Sequence, residues 1–437
     1  YNNTFKGFLN YLLFLDNIIS TASVDLKKKY QRVADYYAGK SVFVTGATGF
    51  VGKVLIERLL YNCKDIENIY VLIRPKRGAD TEKRLQNIFD VPLFNKLKQT
   101  RPYNLKKIIP IEGDLTTSQL GITEKDKKTL TDKVSVVFHS AATVRFIDTF
   151  QDIMNINVEG TQRVLDLTKN FKNIEKFIYV STAFSNCHLK VIDENIQPPL
   201  KKLSAVRKMI LDHGNDEKKV NEYLADIVNS YTLSKALGEN LVNENKGNVP
   251  TIIIRPSIVT PMYHDPLPGW VDSWVAATTV YSNVSKGLTP FLYGTKDVVC
   301  DLVPVDYVTN LIIIAGAKGR VYVRMRKIKL SNSPFVVKTM TFFLQTIPCL
   351  FADISLILRG KKTRHLADDK RSLLLQIIIK PFTSTSWLIK SKNTQDLIST
   401  LDDHDKEKFP CDVNNINWSE YSVIYSKGVK EFLLKEK

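Results

Sequence analysis

A doubly wound α/β fold is predicted by three features of the chain. Short apolar, β-branched runs recur between residues 40 and 260, each followed by residues at helical spacing. The first run, Val42-Phe43-Val44-Thr45, enters a turn carrying Gly46, Gly49 and Gly52. Val54, Leu55, Leu59 and Leu60 then recur with the period of a helix. Strand, glycine-spaced turn and helix together are the context of a dinucleotide-binding, Rossmann-type unit. Gly46 allows the tight turn, Gly49 lets backbone approach a pyrophosphate, and Gly52 lets helix and strand pack closely. The amides at the helix start then face the phosphates.

The other elements follow in order. Asn68 to Ile73 is the second strand and ends in Arg74-Pro75-Lys76-Arg77-Gly78. In this fold an acid there binds the 2′-hydroxyl of the adenosine ribose, whereas an arginine accommodates a 2′-phosphate. Three cations and no acid predict NADPH, with Arg84 as a second phosphate contact. Ile108 to Glu112 is the third strand, followed by Gly113-Asp114-Leu115; Asp114 is placed either to accept from the adenine amino group or to cap a helix. Val134 to Phe138 is the fourth strand and leads into His139-Ser140-Ala141-Ala142, where small residues let the chain pass over the cofactor. Asn157 starts or lines the next helix and is placed to bond neighbouring backbone. Lys176 to Val180 is the fifth strand, running into Ser181-Thr182-Ala183. Thr251 to Ile254 begins the sixth, whose end, Arg255-Pro256-Ser257-Ile258-Val259, is expected to border the nicotinamide through Pro256, Ile258 and Val259.

Between the fifth and sixth strands lies Tyr231-Thr232-Leu233-Ser234-Lys235. Positions i and i+4 share a helix face, so phenol and ammonium can meet one ligand. A neighbouring cation is expected to lower the phenol pKa, letting Tyr231 protonate a carbonyl oxygen as hydride reaches its carbon. Lys235 would also hold the nicotinamide ribose. The Tyr36/Lys40 and Tyr103/Lys107 pairs share the spacing but lack the flanking strands. Thr182 can donate to the same carbonyl oxygen if Ser181 points into the sheet, as strand alternation allows.

The chain has 437 residues, 44% hydrophobic and 24% charged, which is ordinary for a globular protein of two or three domains. A net charge of +17 points to a phosphate-rich ligand, an anionic membrane surface or a solvated lysine-rich surface. No recognition module for nucleic acid is present. Five scattered cysteines form no CxxC pair and six histidines no HxxxH or HExxH cluster, so a reducing compartment and no metal are expected. The chain begins at Tyr1 rather than methionine, as a fragment or processed form would. Phe8 to Leu15 is apolar but too short to span a bilayer, and reads as an amphipathic helix.

These residues together resemble the extended short-chain dehydrogenase/reductases. A narrower resemblance is carried by Leu59-Leu60-Tyr61-Asn62-Cys63, Ile69-Tyr70-Val71-Leu72-Ile73-Arg74-Pro75-Lys76-Arg77-Gly78, Pro92-Leu93-Phe94, Tyr179-Val180-Ser181-Thr182-Ala183-Phe184-Ser185-Asn186-Cys187, Pro268-Gly269-Trp270-Val271-Asp272 and Val303-Pro304-Val305-Asp306. In the tail, Trp387, Phe409, Asp412-Val413, Trp418, Tyr421 and Gly428 continue it. The chain is similar to the fatty acyl-CoA reductases, in an arthropod-like form. The resemblance implies NADPH-dependent reduction of a long-chain acyl-CoA to the primary alcohol by two hydride transfers through an aldehyde-level intermediate. It makes Tyr231 the proton donor, Lys235 the ribose ligand and Thr182 the carbonyl partner, with Gly46, Thr48, Gly49, Phe50, Val51 and Arg74 on the cofactor. Another extended short-chain reductase, or a catalytically impaired NADPH-binding homologue, are the alternatives. The second is motivated by the stretch after Ala315, where the family's further strand and helix are not recognisable.

The expected organisation is an N-terminal variable segment (1–39), a Rossmann reductase domain (40–320), a hydrophobic membrane-associated segment (321–380) and a mainly helical C-terminal domain (381–437). Between Lys338 and Asp353 lie fourteen uncharged residues, shorter than a spanning length, with cations such as Arg359, Lys361 and Lys362 beside them. Peripheral or hairpin attachment is expected, with an intracellular location at endoplasmic reticulum or peroxisome and the catalytic domain facing the cytosol. Lys201 to Glu222 reads as a solvated helix inserted before the catalytic one.

Overall fold

The computed structural model describes residues 31–75, 80–145, 148–274, 276–285, 300–319, 350, 353 and 385–435. Its strands are β1 (Ser41–Thr45), β2 (Ile69–Ile73), β3 (Ile108–Glu112), β4 (Val134–His139), β5 (Lys176–Val180), β6 (Val191–Ile192), β7 (Thr251–Ile254), β8 (Ile258–Thr260), β9 (Leu302–Pro304) and β10 (Leu388–Ile389). The helices that bear on the site are α1 (Phe50–Asn62), α2 (Gly160–Thr168), α3 (Ser230–Asn245), α4 (Val305–Lys318), α5 (Lys392–Ser399) and α6 (Trp418–Gly428).

Six strands form one sheet in the order β3-β2-β1-β4-β5-β7, every neighbouring pair parallel. Strand order reverses between β1 and β4, where Val44 pairs with Phe138 and Thr45 with His139. A crevice at such a reversal is where this class of sheet binds ligands. Both faces are covered, so β1 and β2 are buried at every position, which explains their continuous apolar runs. On one face Val42, Val44 and Val71 pack with α1 and α4; on the other, Phe43, Phe177 and Tyr179 pack with α2 and α3.

The sheet strands fall where the sequence places them, with one difference. The stretch through Ile258 and Val259 does not end the sixth strand. The chain leaves the sheet after Ile254, because Pro256 has no N–H to continue the ladder. Its carbonyl instead accepts from the Ala183 amide at 2.8 Å. Ile258 and Val259 then form β8, which pairs with β9 more than forty residues on. The inserted segment is also better anchored than expected. It forms two helices, Leu203–His213 and Glu217–Tyr223, and Val206 and Met209 of the first are buried in the core.

The C-terminal segment packs onto the sheet domain at several points. β10 pairs in parallel with β6, and the Trp387 indole donates to the Cys187 carbonyl at 2.8 Å. Tyr421 on α6 donates to the Pro261 carbonyl at 2.7 Å, and its ring joins the same core as α1 and α4. The Pro268-Gly269-Trp270 turn is clamped between both parts. A Cβ on Gly428 would lie 1.9 Å from the Gly269 carbonyl oxygen, so α6 rests directly on that turn. On its other side, Trp270 packs on Phe50 at 5.5 Å between ring centroids, and Lys53 bonds Asp272 at 2.5 Å. Among the described residues no helix is long and apolar enough to cross a membrane. Phe8 to Leu15, Lys76, Arg77 and nearly all of the apolar stretch between 335 and 379 lie outside the described residues, as does the chain from 320 to 349.

Candidate active site

The glycine turn sits at the strand reversal. Gly46 has φ +78°, and a Cβ there would meet the Ala141 amide nitrogen at 2.7 Å. A side chain at Gly52 would lie 2.1 Å from the Gly46 carbonyl oxygen. Gly49 is the N-cap of α1 and is exposed; a Cβ there meets only that same oxygen, at 3.2 Å. The three glycines therefore hold the turn tight, leave its outer side open and seat α1 on it. Thr48, Phe50 and Val51 are partly exposed around this opening, where the first amides of α1 have no helical acceptor. This cradle fits a pyrophosphate.

A hydrogen-bonded chain ties the cradle to the next helix. His139 at the end of β4 has Nδ1 2.7 Å from Thr45 Oγ1 and Nε2 2.9 Å from Thr161 Oγ1. The Thr161 hydroxyl already donates to the Asn157 carbonyl at 2.7 Å, so Nε2 carries the proton and donates. Nδ1 then accepts from Thr45, whose oxygen accepts from the Ala141 amide at 3.3 Å. Complete burial pushes the imidazole pKa down to about 3, so His139 is a neutral bridge at any working pH. Ala141 and Ala142 follow, both partly exposed beside the turn.

Asn157 lies in a π-helical turn, Asn155–Glu159, that leads into α2. Its side chain accepts from the Thr143 amide at 2.8 Å and donates to the Thr143 carbonyl at 3.1 Å and to Ser234 Oγ at 2.9 Å. It thus pins the loop after β4 to the helix carrying Tyr231. Such π turns recur at functional sites because they re-aim one side chain.

Thr182, Tyr231 and Lys235 come together at the ends of β5 and β7. Tyr231 stays partly exposed while a hydrogen bond links its phenol to Thr182. Thr182 Oγ1 lies 3.4 Å from the Pro256 carbonyl. Lys235 is buried; its ammonium donates to the Val180 carbonyl at 2.8 Å and lies 4.9 Å from the Tyr179 ring centroid. Ser181 points away, into Glu239 at 2.5 Å, which leaves Thr182 as the hydroxyl facing Tyr231. One expectation is corrected here. The phenol pKa is not lowered by Lys235; burial raises it to about 12, opposed by the Thr182 hydrogen bond. Lys235 itself is pushed down to about 8 by burial, opposed by the charge of Glu239. Desolvation is the largest effect on both groups.

The Lys235 shift has a testable sign. Its folded pKa lies below the ordinary 10.5, so burying it charged disfavours folding at neutral pH. That penalty is full below about pH 8 and vanishes above about 10.5. Between pH 7 and 11 the stability of the parent protein should therefore rise relative to Lys235→Met by about 3 kcal/mol. Chemical denaturation of both at the two pH values measures this, and a constant difference would refute it.

At the end of β2, Arg74 is exposed and its Nε lies 3.7 Å from Asp114 Oδ2. Arg84 donates to the Arg74 carbonyl, bringing two guanidinium groups together; burial, then Arg74, lowers the Arg84 pKa. Asp114 Oδ1 accepts from the Thr116 amide and hydroxyl, each at 2.9 Å, so it caps its own turn. The Leu115 carbonyl takes Arg163 at 2.6 Å. Pro256 is buried beside Thr182, while Ile258 and Val259 are half-buried on β8. Sequence reasoning assigned no role to Glu239 or His139. Glu239 carried a signal, lying four residues beyond Lys235 on the same helix face. Asp402, His404 and Asp405 cluster in the C-terminal part, but Asp405 holds the Val33 amide at 3.0 Å and Lys318 at 3.7 Å.

A glycine cradle at the switch point, with a Thr-Tyr-Lys set opposite, defines a nicotinamide-dependent reductase of the extended short-chain type. Solved structures agree on the fold. The terminal reductase domain of the myxalamid PKS-NRPS pathway matches with a TM-score of 0.58 at 18% identity, covering 91% of this chain and 92% of that one. The reductase domain of a nonribosomal peptide synthetase from Mycobacterium tuberculosis gives 0.58 at 16%, covering 93% and 96%. Two family profiles, both described as male sterility protein, match residues 44–312 and 344–436, the first as an NAD-binding domain. Fatty acyl-CoA reductase 2 of Bos taurus is 34% identical over 445 residues, covering 92% of this chain and 86% of that protein. Fatty acyl-CoA reductase 1 of Rattus norvegicus is 32% identical over 450 residues with the same coverage. The chain belongs to the fatty acyl-CoA reductase family.

Proposed function

We propose that this protein reduces long-chain fatty acyl-CoA to the primary fatty alcohol, consuming two NADPH and releasing CoA. The observation that carries the proposal is Tyr231, a partly exposed residue whose phenol is hydrogen-bonded to Thr182, set four residues before a buried Lys235 at the ends of β5 and β7. Family membership supports the acyl-CoA substrate. The bound nicotinamide supplies the hydride in each half of the reaction.

The chain's own groups do the rest. The Thr182 hydroxyl and Tyr231 phenol converge where a carbonyl oxygen can accept two hydrogen bonds as negative charge grows on it. With its pKa near 12, Tyr231 is fully protonated at physiological pH. A developing alkoxide is far more basic than a phenolate, so proton transfer from Tyr231 Oη runs downhill. Lys235 would hold the ribose through its ammonium, and Pro256, Ile258 and Val259 would border the nicotinamide. A first reduction expels CoA thiolate and leaves an aldehyde; the second, on the same groups, yields the alcohol.

NADPH is preferred to NADH in this reading because Arg74 and Arg84 stand together at the end of β2. One charge-assisted hydrogen bond contributes about 1.5–3 kcal/mol. Arg74→Ala should accordingly weaken NADPH binding by about tenfold to a hundredfold and leave NADH binding unchanged, as read by fluorescence titration. Equal losses for both cofactors would remove the 2′-phosphate assignment.

We also infer peripheral attachment to an intracellular membrane, endoplasmic reticulum or peroxisome, with the active site facing the cytosol. The net charge of +17 and the apolar stretch between Lys338 and Asp353 support it. Flotation with anionic vesicles tests attachment. Purified protein, NADPH and an acyl-CoA panel, with products identified by mass, test the reaction. Tight NADPH binding with neither aldehyde nor alcohol from any acyl-CoA would instead indicate an impaired homologue.

A further inference from the structure

Glu239 is completely buried, on α3, one turn beyond Lys235. Its two oxygens are engaged by groups from two other elements. Oε1 accepts from Ser181 Oγ at 2.5 Å and Arg255 Nε at 2.9 Å, and Oε2 accepts from Arg255 at 2.7 Å. Ser181 immediately precedes Thr182, and Arg255 immediately precedes Pro256, whose carbonyl faces Thr182. One carboxylate thus joins the β5 end, the β7 end and the catalytic helix. Arg255 also donates to the Asp193 and Asn195 carbonyls, both at 3.0 Å, in the loop after β6.

Among the described residues, the following groups face Lys235. Tyr231 and Glu239 share its helix. The Tyr179 ring and Val180 carbonyl come from β5, and His139, neutral and stacked on Tyr179 at 5.7 Å, from β4. Within this set Glu239 is the carboxylate, and the buried Arg255 cation is paired with it from the end of β7.

We propose that Glu239 is a positioning residue for the reduction: held by Arg255, it fixes Ser181 so that Thr182 faces Tyr231, and its charge keeps the buried Lys235 protonated. It touches no reacting group. Holding Ser181 alone would not need its charge, because an amide could accept as well. Two buried cations do need it: the Arg255 guanidinium, which it binds directly, and the Lys235 ammonium one helical turn away.

The test is the pH dependence of NADPH affinity, read by fluorescence titration, with the pH profile of acyl-CoA reduction beside it. A charged Lys235 donates to a ribose hydroxyl more strongly than the neutral amine, so affinity should fall on the alkaline side as it deprotonates. Glu239→Gln should move that midpoint down by about one pH unit, a tenfold loss of proton affinity. Because Glu239→Gln leaves Arg255 buried and uncompensated, Glu239→Gln/Arg255→Gln is measured too; with a cation also removed, its midpoint should move in the same direction by less. Glu239→Asp, which keeps the charge, should stay near the parental midpoint. Ser181→Ala should lower kcat without moving it. A folded neutral variant with the parental midpoint would overturn the proposal, as would an equal shift in Ser181→Ala. Failure of the double variant to fold would also overturn it, by assigning the pair to architecture. The turnover arm rests on the proposed reaction. The NADPH titration contains no acyl substrate, so failure of that reaction is seen separately.

Discussion

Tyr231→Phe should lower kcat by about 10²–10⁴-fold, the usual contribution of a positioned proton donor. The substitution removes one oxygen from a helix whose fold does not depend on it. Its ring contacts remain, and the backbone carbonyl of residue 231 still accepts from Ser234 at 2.7 Å. Thr182 keeps its place, since its hydroxyl also lies 3.4 Å from the Pro256 carbonyl. Melting temperature and NADPH affinity should therefore stay close to parental, because Lys235 and the glycine cradle are untouched. The loss should appear in both half-reactions, so that neither aldehyde nor alcohol accumulates. A variant that still made aldehyde at the parental rate would show that a different group protonates the first oxygen. Adding Thr182→Val should cost less than it does in the parent, because the two hydroxyls act on one oxygen and are not independent.

Much of this site could be read from the chain before any coordinates. The sheet was legible because parallel strands buried on both faces carry continuous apolar runs, here Val42 to Val44 in β1, Ile69 to Ile73 in β2 and Phe177 to Val180 in β5. The glycine turn was legible because each of its glycines answers a separate steric demand. What escaped was set by tertiary contact. The pairing of β8 with β9 and of β6 with β10 joins segments more than forty and nearly two hundred residues apart, and such short strands carry no pattern of their own. The Glu239–Arg255 pair is invisible until α3 and β7 are brought side by side. The direction of the Tyr231 shift was misjudged for the same reason. Sequence places a cation one helical turn away but does not show how little water surrounds the phenol, and desolvation is the larger effect.

The contrast between Gly52→Ala and Gly49→Ala separates the two demands on the turn. At Gly52 the new methyl would lie 2.1 Å from the Gly46 carbonyl oxygen, 2.8 Å from its carbon and 2.9 Å from the Ala47 Cα. All three are backbone atoms of the turn itself, so no side-chain rotation can relieve the clash. Either α1 slides away from β1 or the turn opens. α1 packs through Val54, Leu55, Ile56, Leu59 and Leu60 into the main core, so sliding it disturbs many contacts at once. The expected cost is about 3 kcal/mol or more, at the upper end for overpacking, with a lower melting temperature and NADPH affinity reduced at least about a hundredfold. At Gly49 the nearest atom to a new methyl is the Gly46 oxygen at 3.2 Å, and the residue is exposed. Gly49→Ala should keep the parental unfolding free energy within about 1 kcal/mol, yet lose NADPH affinity, because the methyl stands where backbone must approach the pyrophosphate. Thermal unfolding and NADPH titration of the two variants decide the matter. If Gly49→Ala bound NADPH normally, the pyrophosphate would not lie on this turn. If Gly52→Ala were as stable as the parent, the close seating of α1 on the turn would not be what holds the cradle in shape.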